Sequence, residues 1–189
     1  MSGYCRDVPY VFQVASLVEH FREYGKPTVA ALGNALGRVD GNSGPSLLSS
    51  LAEEGLLTRW AVTRWIGDVW SGCEHPEAEL DPDDWREFFC WAGYTVDGRR
   101  VALPVASLVL FRGAWREPLC CRYGMSWTDD REVALWFASR HVNKGAPAGA
   151  VWTAEVDPDR LYARNRNVRK GESEYVIETD GLDVTALDI

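Results

Sequence analysis

The chain has 189 residues, is 46% hydrophobic and 25% charged, and carries a net charge of −8. This is the composition of a globular protein of one domain or two small ones. No apolar run approaches the roughly 20 residues that span a bilayer and the N-terminus has no signal-peptide form, so a cytoplasmic protein without a membrane partner is expected.

The acid excess lies mainly in residues 1–100, where nine Lys/Arg stand against fifteen Asp/Glu, which disfavours general nucleic-acid binding. The five cysteines are an odd number at irregular spacing, which argues against a disulfide framework. Cys73-x-His75 and Cys120-Cys121 come nearest to a metal motif, but no Cys-x-x-Cys pair accompanies them. The expectation is buried reduced thiols and no metal.

In chain order the first half reads as helices. Val14, Val18 and Phe21 recur at helical spacing before Gly25-Lys26-Pro27. Thr28 caps a second helix carrying Leu32 and Leu36, and residues 38–45 read as a loop. Residues 46–57 form a third helix. The second and third together resemble a helix-turn-helix pair, but the third contains no cation and carries Glu53 and Glu54, so two packed helices are the better reading. Residues 60–70 predict an amphipathic helix, residues 74–84 an acidic loop, and residues 83–91 a helix burying Trp85, Phe88, Phe89 and Trp91. A boundary falls near residue 95.

From Arg99 on, strand patterns dominate. Residues 101–103 read as an edge strand, 108–112 as a central strand, 149–156 and 174–178 as strands, and 165–171 as a polar, basic loop. Between them, residues 129–141 predict a helix with a capping box formed by Asp129 and Glu132, buried through Val133, Trp136 and Phe137. Helices first and strands later give an α+β fold. Arg112 at a strand tip needs an anion or a carboxylate, and Ser126 and Thr128 share one face of an extended segment, with Trp127 on the other.

Arg112-Gly113, Ser126-Trp127-Thr128 and Glu172-Ser173-Glu174, in that order, resemble the Arg, Ser-x-Thr, Glu-x-Glu pattern of mono-ADP-ribosyltransferases. The Phe-Arg-Gly-Ala and Gly-Met-Ser-Trp-Thr wording resembles small bacterial and phage proteins of that fold. The resemblance covers about the last half of the chain. It implies a helical region over residues 1–95, packed on an ADP-ribosyltransferase-like split β-sandwich over 96–189 that binds NAD.

It also implies roles. Arg112 anchors the pyrophosphate with paired donors, and Gly113 lets the backbone approach the nicotinamide amide. Ser126 orients the catalytic carboxylate, Thr128 holds the strand edge or helix start, and Trp127 is an aromatic candidate for stacking on nicotinamide. Glu174 bonds the ribose and stabilises the cationic transition state. Glu172 orients or deprotonates the acceptor, and in the family a glutamate there accompanies arginine acceptors.

The basic stretch Arg164, Arg166, Arg169 and Lys170 stands where the family carries its acceptor-recognition loop. The implied activity is transfer of ADP-ribose to a macromolecule, a protein before a nucleic acid, by a toxin, phage effector or counter-defence protein. An NAD glycohydrolase and a non-enzymatic interaction or DNA-contacting module are the alternatives. On the residues alone, Arg112 reads equally as an ion-pair partner of Glu174, Ser126 and Thr128 as caps, and Glu172 and Glu174 as solvated charges.

Overall fold

The computed structural model describes residues 10–116, 118–140, 142, 145, 147–167 and 172–187. The chain divides into two compact units, Met1–Ala92 and Gly93–Ile189, against the break expected near residue 95. Among the described residues the first unit holds helices and no strand, and the second a sheet with one α-helix, so the fold is α+β.

The first unit comprises α1 (Tyr10–Tyr24), α2 (Val29–Leu36), α3 (Gly44–Glu53), α4 (Arg59–Gly72), α5 (Pro76–Glu79) and α6 (Pro82–Ala92). Hydroxyl caps start two of them: Thr28 accepts from the Ala31 amide and Thr58 from the Ala61 amide. Leucines of α2 and α3, with Val62 and Ile66 of α4, form the core. Trp70 meets Trp85 edge-on at 4.9 Å, and Phe89 completes the cluster. The acidic stretch expected as a loop contains α5, whose Pro76 carbonyl receives the Trp85 indole N–H at 2.8 Å. Trp91 is exposed instead of buried, because α6 turns Trp85, Phe88, Phe89 and Ala92 inward.

The second unit is an eight-stranded sheet in the order β2-β1-β6-β7-β4-β3-β5-β8. Its strands are β1 (Thr95–Val96), β2 (Arg99–Arg100), β3 (Leu108–Ala114), β4 (Ser126–Thr128), β5 (Ala150–Val156), β6 (Leu161–Asn167), β7 (Glu172–Ile177) and β8 (Thr185–Leu187). Residues 101–103 form no strand; the edge is instead the two-residue hairpin of β1 and β2, turned by Asp97 and Gly98, both at positive φ.

The ladder has one weak join. β3 and β4 share a single register pair, Phe111 with Thr128, whereas β3 and β5 pair over all seven residues. Residues from both sides of the join meet in one apolar core, Leu110, Trp152 and Val156 from one side and Trp127, Tyr175 and Ile177 from the other.

The helix α7 (Arg131–Ser139) follows β4. It begins two residues later than predicted, because Thr128 stays in the ladder and its hydroxyl accepts the Asp130 amide at 3.1 Å. Asp130, not Asp129, is therefore the cap, accepting from the Glu132 amide at 2.8 Å. The buried side also differs. Ala134 faces inward, while Trp136 and Phe137 are 54% and 36% exposed. The cause is Gly113: a Cβ there would lie 1.9 Å from the Ala134 carbonyl oxygen. Helix backbone rests on strand backbone, and only small residues fit between.

Candidate functional site

The residues of the expected site gather along the join between β3, β4 and β7. Ser126 and Thr128 lie opposite Val176 and Glu174, so Ser126, Thr128 and Glu174 project to one face. The Ser126 hydroxyl donates to Glu174 Oε1 at 2.6 Å. A hydroxyl bond to a charged carboxylate contributes about 1.5–3 kcal/mol and fixes one of its oxygens. Residues 48 positions apart thus make a direct contact.

Arg112 reaches the same serine from its backbone side. Its Nη1 donates to the Ser126 carbonyl at 2.7 Å and its Nε to the Cys121 carbonyl at 2.9 Å. The guanidinium also lies against Gly124, where a Cβ would meet Nη2 at 2.0 Å. Two of its five donors therefore hold the segment between β3 and β4. Thr179 and Trp127 pin that segment further, donating to the Tyr123 carbonyl at 2.6 Å and the Gly124 carbonyl at 2.8 Å. The 3-10 turn Leu119–Tyr123 leads into β4, and its hold fixes where Ser126 enters the sheet.

Two of the assignments, Trp127 and Gly113, are revised. Trp127 belongs to the core, 2% exposed on the face away from Ser126, so it presents no surface for a nicotinamide ring. The space freed by the missing Gly113 side chain is filled by α7, so that glycine serves helix packing. Thr128 is buried and caps the turn into α7. Glu172 opens β7 opposite Asn167 and is described in its backbone alone.

Of the basic stretch, Arg164 and Arg166 lie within β6 and not in a loop, because β6 runs on to Asn167. Arg164 pairs with Asp129 at 2.9 Å. Arg166 donates from its side chain and its backbone to Asp97. Burial alone would raise the Asp97 carboxyl, but the Arg166 hydrogen bonds and charge outweigh it and hold the group below its ordinary value. Arg169 and Lys170 lie outside the described residues.

Comparison with known protein families, curated proteins and solved structures gives no match. The site's chemistry rests on its own geometry.

That geometry includes residues the sequence reading passed over. Asn165 stands directly opposite Glu174 on β6, and Phe111 opposite Thr128, so one row across the sheet reads Phe111, Thr128, Glu174, Asn165. An extended reading of residues 161–167 paired to 172–177 would have found Asn165. Asp129, assigned to a cap, instead accepts from Arg164 and, at 3.1 Å, from the Tyr175 hydroxyl.

Among the described residues no group of three or more His, Cys, Asp or Glu is placed to hold a metal. Cys73 is buried and donates to Asn42 Oδ1 at 3.4 Å, with burial pushing its thiol up. Cys90 is exposed, contrary to the expectation of buried thiols throughout. No helix among the described residues is long and apolar enough to cross a membrane.

Proposed function

We propose that this protein is an NAD-dependent mono-ADP-ribosyltransferase acting in the cytoplasm on a macromolecular acceptor, with protein arginine the first candidate, in the manner of a toxin, phage effector or counter-defence protein. The observation that carries this reading is the Ser126–Glu174 hydrogen bond at 2.6 Å. It joins two of the three elements of the family resemblance, while Arg112 holds the carbonyl of the same serine. The single-pair join in the sheet and the core shared across it also suit a split β-sandwich of that family.

In this reading the bond between nicotinamide and ribose C1′ breaks, and its electron pair leaves with nicotinamide. The Glu174 carboxylate, held by Ser126, stabilises the positive charge developing at C1′. The acceptor's nucleophile then attacks C1′, with Glu172 taking its proton. The resemblance assigns the pyrophosphate to Arg112, whose guanidinium suits phosphate oxygens.

An NAD glycohydrolase is the second reading. One observation favours it: Arg164 and Arg166, assigned to the acceptor, are paired with Asp129 and Asp97.

Incubation with labelled NAD and cell lysate separates the readings. Transfer predicts label in a macromolecule, reduced about 100-fold or more in Glu174→Gln. Free nicotinamide without labelled macromolecule indicates hydrolysis. Absence of NAD binding and consumption defeats both.

A further inference from the structure

Glu174 has a second set of neighbours on the far side of its strand. Ser173 and Tyr175 flank it along β7, Arg164 flanks its cross-strand partner Asn165, and Asp129 follows its other partner Thr128. These four flanking residues bond to one another. Asp129 Oδ2 accepts from Arg164 Nη2 at 2.9 Å and from the Tyr175 hydroxyl at 3.1 Å. Arg164 Nε donates to Ser173 Oγ at 3.1 Å, and the guanidinium carbon lies 5.0 Å from the Tyr175 ring centroid. The network therefore ties β4, β6 and β7 together at the height of the carboxylate.

We propose that Asp129, Arg164 and Tyr175 form a clamp that sets the Glu174 carboxylate against Ser126, making them positioning residues of the candidate site and Arg164 no part of acceptor recognition. The link to catalysis rests on the reading of Glu174 given above. Physically, a three-residue strand such as β4 has little ladder of its own to hold its register. A slip or twist of β4 against β7 would draw Ser126 from Glu174. Asp129, one residue past the end of β4, is bonded to both strands beyond it, which opposes that motion. Tyr175 remains a neutral donor: burial, then the Asp129 charge, push its hydroxyl up to about 12.

The test compares wild type with Asp129→Asn, Arg164→Met and Tyr175→Phe. Tyr175→Phe removes one hydroxyl from the core and keeps the ring, so it serves if the charge variants fail to fold. The first readout needs no NAD: the side-chain carboxyl 13C resonance of Glu174 in glutamate-labelled protein, assigned by Glu174→Gln, with exposed Glu19 as control. The clamp predicts a displaced Glu174 resonance and an undisturbed Glu19.

An unchanged Glu174 resonance in folded variants overturns the proposal whatever NAD does. A displaced resonance with no NAD turnover by wild type supports the clamp and counts against the enzymatic reading alone. Where NAD is turned over, kcat falls about 10-fold or more in Asp129→Asn while KM stays within about 2-fold, and Arg164→Lys recovers part of what Arg164→Met loses. In the Glu174→Gln background Asp129→Asn adds little further loss; an equal loss in both backgrounds shows a general structural role and overturns positioning.

Discussion

Ser126 and Glu174 show how little chemistry the site needs and how much placement. A serine hydroxyl donates to many acceptors; here one acceptor, Glu174 Oε1, lies 2.6 Å away. Ser126→Ala removes that restraint while leaving the carboxylate accessible to water. On the proposed transferase reading, NAD cleavage falls about 10- to 100-fold, following from the roughly 1.5–3 kcal/mol of a charge-assisted bond. Thermal stability should change little. A Ser126→Ala rate equal to wild type would detach Ser126 from the chemistry.

Asp97 makes a different prediction at the same scale. Folding lowers its carboxyl below the unfolded value of about 3.9. The pairing with Arg166 therefore stabilises the fold fully above that value and stops doing so as pH falls through the lowered folded one. More than a third of the Asp97 side chain is exposed, so solvent screens the pairing and its contribution is modest. Asp97→Asn tolerates the positive φ, and its melting temperature should lie below wild type at pH 7, with the gap closing as pH falls through and below the ordinary carboxylate value of about 3.9. A gap independent of pH would assign the effect to the turn and not to the charge.

Among the elements, α7 packs directly on β3. Their approach depends on Gly113, whose missing side chain admits the Ala134 carbonyl. Gly113→Ala must push the helix from the sheet, at a cost of about 3 kcal/mol or more, the upper end for overpacked cores. Thermal unfolding measures it, and an unchanged melting temperature would mean that the helix moves freely.

The same contact explains why periodicity misjudged this helix. Val133, Trp136 and Phe137 form the apolar stripe that hydrophobic pattern selects, yet backbone-close packing needs the small residues Ala134 and Ala138 and turns the aromatics outward. The Thr28 cap was legible, since it acts within three residues, whereas the Thr58 cap, just as local, was passed over. The exact start of α7 was not legible, because the Thr128–Glu174 pairing, a contact distant in sequence, keeps Thr128 in the ladder.

At the scale of the molecule, each unit buries its own core. Among the described residues the sheet core runs from Tyr94 to Val184, within the second unit, and the candidate site lies in the same unit. A chain beginning at Gly93 is therefore expected to fold alone. Dispersed amide resonances would show the fold, and a Glu174-dependent NAD cleavage would show the site. A collapsed spectrum from this fragment would mean that the helical unit is required for the sheet.

By itself the sequence determined what depends on neighbours along the chain. The order of helices before strands follows from hydrophobic period, the Asp97–Gly98 turn from residues that tolerate positive φ, and the Thr28 cap from a hydroxyl beside an amide. It also placed Ser126 and Thr128 on one face, because strand side chains alternate. Only the tertiary structure decided what those faces meet. Ser126 touches Glu174, Arg112 turns to backbone carbonyls, and Arg164 and Arg166 turn to Asp129 and Asp97. Strand register makes those choices, and a one-residue slip would send each of these side chains to the opposite face. Register is set by the packing of a whole core, which no local stretch of sequence contains.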